Sequence, residues 1–128
     1  MLSPSDCAAL VATARACVVP SQWEEPFGLV VAESMAAGVP PVAAAHGSFP
    51  ELINDGVDGV LFRPGDPSAL AAVFDGIESD PDRYSALGEA ARRTHERRFS
   101  QKANVEELVA IYRFAIENPA RPGPARRG

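Results

Sequence analysis

Three short apolar runs lie in the first half of the chain, each followed by glycine, proline or serine. Their length and their valine content predict β-strands over residues 16–19, 41–45 and 60–62. Longer segments with helical spacing separate these runs. Because strands that alternate with helices form right-handed βαβ units, the pattern predicts an α/β fold with a parallel sheet.

Helix signals in this first half support that interpretation. Ser3, followed by proline, predicts the start of a first helix. Gly38 predicts the end of a second helix over residues 29–37. Ser48 and Glu51 have the spacing of a capping box, so a short helix is expected to follow Ser48 and to end near residue 54.

Three further helices are predicted in the second half of the chain. Each begins at a capping residue: Asp66, Asp80 and Ser100. Each then carries an apolar stripe at helical spacing. The stripes are Leu70, Val73, Phe74 and Ile77; then Tyr84, Leu87 and Ala91; then Val105, Leu108, Val109, Tyr112 and Ile116.

The number of strands limits the domain organisation. Three strands make only half of a doubly wound sheet, and one flank of such a half-sheet would lack its neighbouring strand. We therefore expect a partial domain over residues 1–117 that is truncated at its N-terminus. Residues 118–128 are rich in proline, glycine and arginine and are predicted to be a disordered tail.

Composition and charge narrow the function. The 128 residues, 46% of them hydrophobic and 23% charged, fit one cytoplasmic domain. A net charge of −5 gives no reason to expect a nucleic-acid partner, and no apolar run reaches the roughly 20 residues of a membrane span. Cys7 and Cys17 are too few for a four-ligand zinc site, and we expect both to be buried, reduced thiols.

Two glutamates stand near the start of the second helix. Glu25 precedes a proline and should lie in an extended loop, and Gly28 should begin the helix that contains Glu33. In parallel sheets this loop lies at the carboxyl edge, where helix-start amides suit a phosphate or a sugar oxygen. Because Glu33 has apolar helical neighbours, it should have a partner or reach solvent in a cleft, and the partner can be a bound diol such as a ribose or an arginine of the fold.

Residues 20–71 resemble the nucleotide-binding half of GT-B glycosyltransferases, specifically the large retaining family 4, also called glycosyltransferases group 1. The Glu25-x7-Glu33 pair resembles the E-x7-E motif of that family. The resemblance extends over about residues 3–115. Further matches follow in the family's order: PFGL at 26–29, AAGVP at 36–40, GxxPEL at 47–52 and DGxxG at 55–59.

The resemblance implies a Rossmann-like sheet with flanking helices. It also implies transfer of a hexose from a nucleotide-diphosphate sugar with retention of configuration and without a bound metal or cofactor. Glu25 would be the catalytic residue, which contacts sugar hydroxyls near the reacting carbon, and Glu33 would hold the nucleotide ribose. The implied donor-binding residues are Phe27, Gly28 and Leu29 through their amides, together with Glu33 and Gly47.

Several positions leave alternatives open. Ser48 replaces the family's usual second glycine, and its hydroxyl can cap a helix, contact the donor or do both. His46 can be an incidental loop residue or a donor contact. Trp23 and Phe27 can stack on a base or sugar, or pack in the core or the cleft wall.

The chain also departs from the family by what it lacks. The basic residues that clamp the diphosphate lie upstream in the family, and that region is missing here, as is the acceptor-binding N-terminal domain. Arg15 is the only basic residue before Glu25, and His95 lies in a basic run at 92–98 that should be a solvated face. The main positive charges near a bound diphosphate would then be the N-terminal ends of helices, each with about half an elementary charge. We therefore expect weak donor binding and little or no transfer by this chain alone.

Three functions compete on these grounds. The leading one is a glycosyltransferase fragment that carries half of the donor pocket. The second is a non-catalytic nucleotide-sugar-binding or subunit-interaction module, which the missing basic residues favour. The third is a glycosidase with Glu25 and Glu33 as its carboxylate pair. It is disfavoured because retaining hydrolases place two carboxyl groups about 5–5.5 Å apart, usually from separate elements.

Overall fold

The sheet has three parallel strands, as the sequence predicts. The computed structural model describes residues 3–23 and 25–119. Its strands are β1 (Cys17–Val19), β2 (Pro41–Ala44) and β3 (Val60–Phe62), and they lie in the order β1-β2-β3. All residues of β2 are buried, as expected for a central strand covered on both faces. The predicted α/β fold is therefore confirmed.

Helices flank the sheet and begin where the sequence predicts. Capping side chains accept hydrogen bonds from helix amides at four helix starts: Ser3, Asp66, Asp80 and Ser100. Gly38, with φ of 73°, follows the end of the second helix as predicted. The described helices are α1 (Pro4–Ala12), α2 (Leu29–Ala36), α3 (Phe49–Leu52), α4 (Pro67–Ser79), α5 (Pro81–Arg98) and α6 (Gln101–Glu117).

The core lies on both faces of the sheet. Successive residues of β2 point to opposite faces, and each face has its own apolar cluster. One cluster consists of Val31, Met35, Ala43, Phe49, Leu52, Ile53 and Ala91. The other consists of Val42, Ala44, Phe62, Ile77, Tyr84 and Leu87. Because α5 contributes to both clusters, it ties the two helical layers together. The stripes predicted on α4 and α5 face this core, except for Phe74, which is 48% exposed.

The stripe predicted on α6 forms but remains exposed. None of the residues of α6 is buried, and only Ala103, in the first turn, is half-buried. The five stripe residues are between 41% and 78% exposed. The helical spacing therefore predicts the helix correctly, while no other part of the described chain covers its apolar face.

The predicted capping box at α3 is wrong. The backbone of Ser48 is helical, with φ of −77° and ψ of −14°, and its side chain makes no capping hydrogen bond. An N-cap side chain reaches the helix amides from an extended backbone, which Ser48 does not have. The helix ends at Leu52 rather than near residue 54.

Two remaining predictions concern the chain as a whole. No helix within residues 3–23 and 25–119 has the length and hydropathy needed to cross a membrane. The predicted disordered tail lies outside the described residues from residue 120 onward. The domain boundary at residue 117 stays a prediction.

Gly88 lets α5 pack directly against the turn after α2. A Cβ atom at this position would overlap the carbonyl oxygen of Gly38. We expect Gly88→Ala to lower the free energy of unfolding by about 1–3 kcal/mol, the usual cost of overpacking, in urea titrations followed by circular dichroism. As a matched control, Gly76→Ala places its Cβ 3.2 Å from the hydroxyl of Tyr84, and it also gains helix propensity. Equal stability of the two variants would contradict this assignment.

Candidate functional site

The loops that follow β1 and β2 meet at the carboxyl edge of the sheet. The amide of Ser48 donates to the carbonyl oxygen of Glu25 at 3.2 Å and so joins the two loops. An open cleft of about 530 Å³ lies there. Its lining residues are Glu25, Pro26, Gly47, Ser48 and Glu51. The fold thus brings Glu25 and Gly47, which are distant in sequence, to the edge where open parallel sheets bind ligands.

Glu33 does not line that cleft. The helix α2 buries one stripe, which consists of Val31, Ser34 and Met35. Glu33 lies on the exposed side, and its helical neighbour Leu29 is 65% exposed. The expectation of a carboxylate enclosed by apolar side chains is therefore wrong, because those neighbours themselves face solvent. Within the described residues, no ion pair involves Glu33, so the alternative of an arginine partner finds no support.

The start of α2 lies directly over the core. Gly28 has a left-handed backbone, with φ of 76°, and a Cβ atom there would lie 2.9 Å from Cε1 of Phe49. The glycine is thus required by the fold itself. The amides of Phe27, Gly28 and Leu29 find no acceptor among the described residues. The side chains of Trp23 and Phe27 are exposed rather than packed in the core. The loop therefore presents aromatic surface to solvent.

His46 ties the two loops together a second time. Its Nε2 lies 2.6 Å from the carbonyl oxygen of Ser21. A carbonyl oxygen only accepts, so Nε2 carries a proton and donates. The edge of the ring meets Phe49, with centroids 6.5 Å apart. His46 thus has a structural role that neither predicted alternative described, and a donor contact through it stays a prediction.

Comparisons with known proteins agree with this fold. Residues 2–94 match the family model described as glycosyl transferases group 1. The chain belongs to this family. It is 39% identical to the D-inositol 3-phosphate glycosyltransferase of Corynebacterium kroppenstedtii over 121 residues, which cover 94% of this chain and 26% of that protein. It is 36% identical to the MMP alpha-(1->4)-mannosyltransferase of Mycolicibacterium hassiacum over 120 residues, covering 93% of this chain and 29% of that protein. The group 1 chain thus spans between a quarter and a third of these relatives.

Solved structures confirm the Rossmann-like fold and the GT-B assignment of this group 1 chain. The sucrose-phosphate synthase of Thermosynechococcus elongatus superposes with a TM-score of 0.81 at 32% identity, over 91% of this chain and 29% of that one. The Anabaena protein HepE in complex with UDP-glucose superposes with a TM-score of 0.74 at 30% identity, over 81% of this chain and 29% of that one.

Sequence reasoning missed Glu51 as a cleft residue. The spacing of Ser48 and Glu51 predicted that the Glu51 side chain belongs to a capping box, and this capping box does not form. Its place in the GxxPEL block, four residues after Gly47, was the available signal. Because the capping box does not form, the Oγ of Ser48 is a buried polar atom without a hydrogen-bond partner among the described residues. Glu51, which is exposed, is therefore available to a ligand, whereas the Ser48 hydroxyl is enclosed.

The basic run at 92–98 is not a wholly solvated face, contrary to expectation. Thr94 is buried and donates to Oδ2 of Asp58 at 2.9 Å, and His95 is half-buried. Asp58 also accepts from the amide and the side chain of Asn54, each at 2.7 Å. Arg98 donates to the carbonyl oxygen of Glu51 at 3.0 Å. The contact of Arg98 with Glu51 thus joins α5 to a residue of the cleft, and the contacts of Asp58 join α5 to the loop after α3.

The two cysteines differ in environment. Cys7 is exposed, which contradicts the expectation of two buried thiols, while Cys17 is half-buried, and both are free. Burial raises the pKa of the Cys17 thiol. A hydrogen bond with Ser34 lowers it, and the charge of Glu33 raises it further. In the part of the chain that the structure describes, no three or more histidine, cysteine, aspartate or glutamate side chains are grouped so that they could hold a metal ion.

Proposed function

We propose that this group 1 glycosyltransferase chain carries half of a donor site that transfers a hexose from a nucleotide-diphosphate sugar with retention of configuration. The observation that carries the proposal is the convergence of the Glu25 loop and the Gly47–Ser48 turn in one cleft at the carboxyl edge of the sheet. The complexes of HepE with UDP and UDP-glucose support a nucleotide sugar as the donor. The acceptor-binding domain and the rest of the sheet would come from outside these 128 residues.

Residue roles follow from position. Glu25 lines the cleft and would accept hydrogen bonds from the sugar near its reacting carbon. The amides of Phe27, Gly28 and Leu29 would receive the distal phosphate and sugar hydroxyls, next to the positive end of α2. Glu33, exposed on the same helix, would accept from both hydroxyls of the ribose. Gly47 would let the donor approach the backbone, and Ser48 and His46 would add contacts.

The proposed chemistry needs two charges to be stabilised together. The bond from the anomeric carbon to the diphosphate oxygen breaks, and an acceptor hydroxyl forms the new bond on the same face while passing its proton to the departing diphosphate oxygen. In the transition state the sugar gains positive charge and the diphosphate gains negative charge. A fixed carboxylate at Glu25 stabilises the first, and fixed N–H donors at the start of α2 stabilise the second. We propose that no metal or other cofactor takes part and that the protein is cytoplasmic.

The second candidate function is a non-catalytic module that binds nucleotide sugars or another subunit. The charge of the cleft disfavours sugar transfer by this polypeptide alone and so favours a non-catalytic role for it. Among its described lining residues, Glu25 and Glu51 are acidic and none is lysine or arginine. A diphosphate would be repelled there, so the isolated chain should bind donors only in the millimolar range.

A two-ligand titration tests the assigned contacts. We titrate the chain with UDP and with UDP-glucose and follow its amide resonances by NMR. Glu33→Gln should weaken both ligands by about tenfold, because it removes the charge from two hydrogen bonds to the ribose. Glu25→Gln should weaken UDP-glucose alone, since UDP has no sugar for it to contact. Glu78→Gln, an exposed position on α4, serves as the control and should change neither affinity.

Other outcomes of this titration decide between the candidates. If Glu33→Gln leaves UDP affinity unchanged, the ribose assignment is wrong. If the chain binds UDP-glucose in the micromolar range, the repulsion argument is wrong. Parallel titrations with GDP and ADP sugars show which base the chain accepts.

A further inference from the structure

A single turn braces the loop that carries Glu25 at two points. This loop joins β1 to α2, and the turn follows β2. Nε2 of His46 donates to the carbonyl oxygen of Ser21 at 2.6 Å. The amide of Ser48 donates to the carbonyl oxygen of Glu25 at 3.2 Å. Glu25 therefore lies at the second of two fixed points, which leave the chain between them few conformations.

The ring of His46 is itself held by the core. Its edge meets the ring of Phe49 with the two planes at 89°, and Phe49 is 0% exposed. The amide of His46 donates to the carbonyl oxygen of Ala44 at 2.8 Å, and its carbonyl oxygen accepts from the amide of Phe49 at 3.4 Å. A side chain that is locked by packing in this way presents its N–H at a defined place.

The two braces differ in what they require of the sequence. The Ser48 contact uses a backbone amide, which every residue except proline provides. The His46 contact uses a side-chain donor that must reach from the turn to Ser21. The position of the β1–α2 loop therefore depends on the residue type at position 46.

We propose that His46 is a positioning residue for recognition of the donor sugar and that it acts through Glu25. By holding Ser21, it keeps the β1–α2 loop docked, so the Glu25 carboxylate lies in the cleft before a donor arrives. Binding to a preformed group avoids the cost of ordering a loop. The inference rests on the proposed donor contact of Glu25. It differs from a direct donor contact of His46, which would act independently of Glu25.

Two substitutions at position 46 test the brace in the full 128-residue chain. In His46→Gln, the amide nitrogen lies the same number of bonds from Cβ as Nε2, so the donation to Ser21 can be kept. In His46→Asn, it lies one bond short, and the contact is lost. We expect the Ser48 amide to exchange its hydrogen about tenfold faster in His46→Asn, as measured by NMR, and nearly normally in His46→Gln. The amides of β2 should keep their exchange rates, because the core is intact.

Titrations with UDP and UDP-glucose show whether the brace serves the sugar. His46→Asn should weaken UDP-glucose by about three- to tenfold and leave UDP unchanged, because UDP has no sugar for Glu25 to contact. His46→Gln should restore most of the lost affinity. A merely structural defect would weaken both ligands. His95→Asn, the same change at a half-buried position on α5, is the matched control and should alter neither affinity.

A double-mutant cycle separates positioning from direct contact. If His46 acts through Glu25, His46→Asn should have little further effect on UDP-glucose in a Glu25→Gln background. Additive losses, or an unchanged exchange rate at the Ser48 amide, would overturn the proposal. A loss of UDP-glucose affinity in Glu25→Gln that His46→Asn does not share would also overturn it, while the proposed function would stand. No loss in either variant would contradict the donor contact of Glu25 and, with it, both proposals.

Discussion

Replacing Phe49 by alanine is expected to lower the free energy of unfolding by about 3–5 kcal/mol. Phe49 is 0% exposed and packs with Val31 and Met35 in the cluster under α2. Its ring also supports Gly28 and His46, so the cavity would open beneath both loops of the cleft. Because small domains have only about 5–15 kcal/mol of stability, this loss would remove a large part of it.

Urea unfolding followed by circular dichroism measures the effect, with Phe74→Ala as the matched control. Phe74 is an aromatic residue that is 48% exposed on α4, so its truncation should cost about 1 kcal/mol or less. Phe49→Leu keeps most of the buried volume and should fall between the two. If the Phe49 and Phe74 variants lost equal stability, the loops would not depend on the core in the way we describe.

Local signals explain why most element boundaries could be predicted. The helix starts at Asp66, Asp80 and Ser100 depend on a side chain within a few residues of the amide it caps. Ser48 has the same spacing to Glu51, but its backbone is helical, and spacing does not determine φ and ψ. A sequence pattern therefore predicts a cap only when the preceding loop keeps the capping residue out of helical geometry.

Burial is less predictable, because it depends on which other elements cover a helix. The apolar neighbours of Glu33 suggested an enclosed carboxylate, yet Leu29 and Glu33 both face solvent. The α6 stripe shows the same difference between pattern and environment. Periodicity predicts that a helix has an apolar face, but not that the same chain covers it.

The candidate site was predictable where it depends on topology. Parallel strands place the loops after β1 and β2 at one edge, so Glu25 and Gly47 come together. The contact of His46 with Ser21 joins residues 25 positions apart and has no local signal. Glu51 was missed because its spacing to Ser48 fits a cap that does not form.

Glu25→Gln is expected to reduce sugar transfer by about 10²–10³-fold. The test uses a hybrid enzyme in which residues 3–119 replace the matching segment of the Corynebacterium kroppenstedtii relative. Release of the nucleotide diphosphate from candidate donors is measured with D-inositol 3-phosphate as the acceptor. The glutamine keeps the shape of the side chain and its hydrogen-bonding oxygen. It loses the negative charge that, in the proposed mechanism, stabilises the positive sugar in the transition state.

The kinetic constants distinguish that role from simple donor binding. A carboxylate that acts mainly in the transition state lowers kcat, whereas a ribose contact such as Glu33 raises KM with a smaller change in kcat. Glu51→Gln is the matched control, since it removes a second carboxylate from the same cleft. It should leave kcat within a few-fold and lower KM, because one charge that repels the diphosphate is gone. A Glu25 variant with nearly normal kcat would show that the fold supplies the charge stabilisation elsewhere, with the amides at the start of α2 as the remaining candidates.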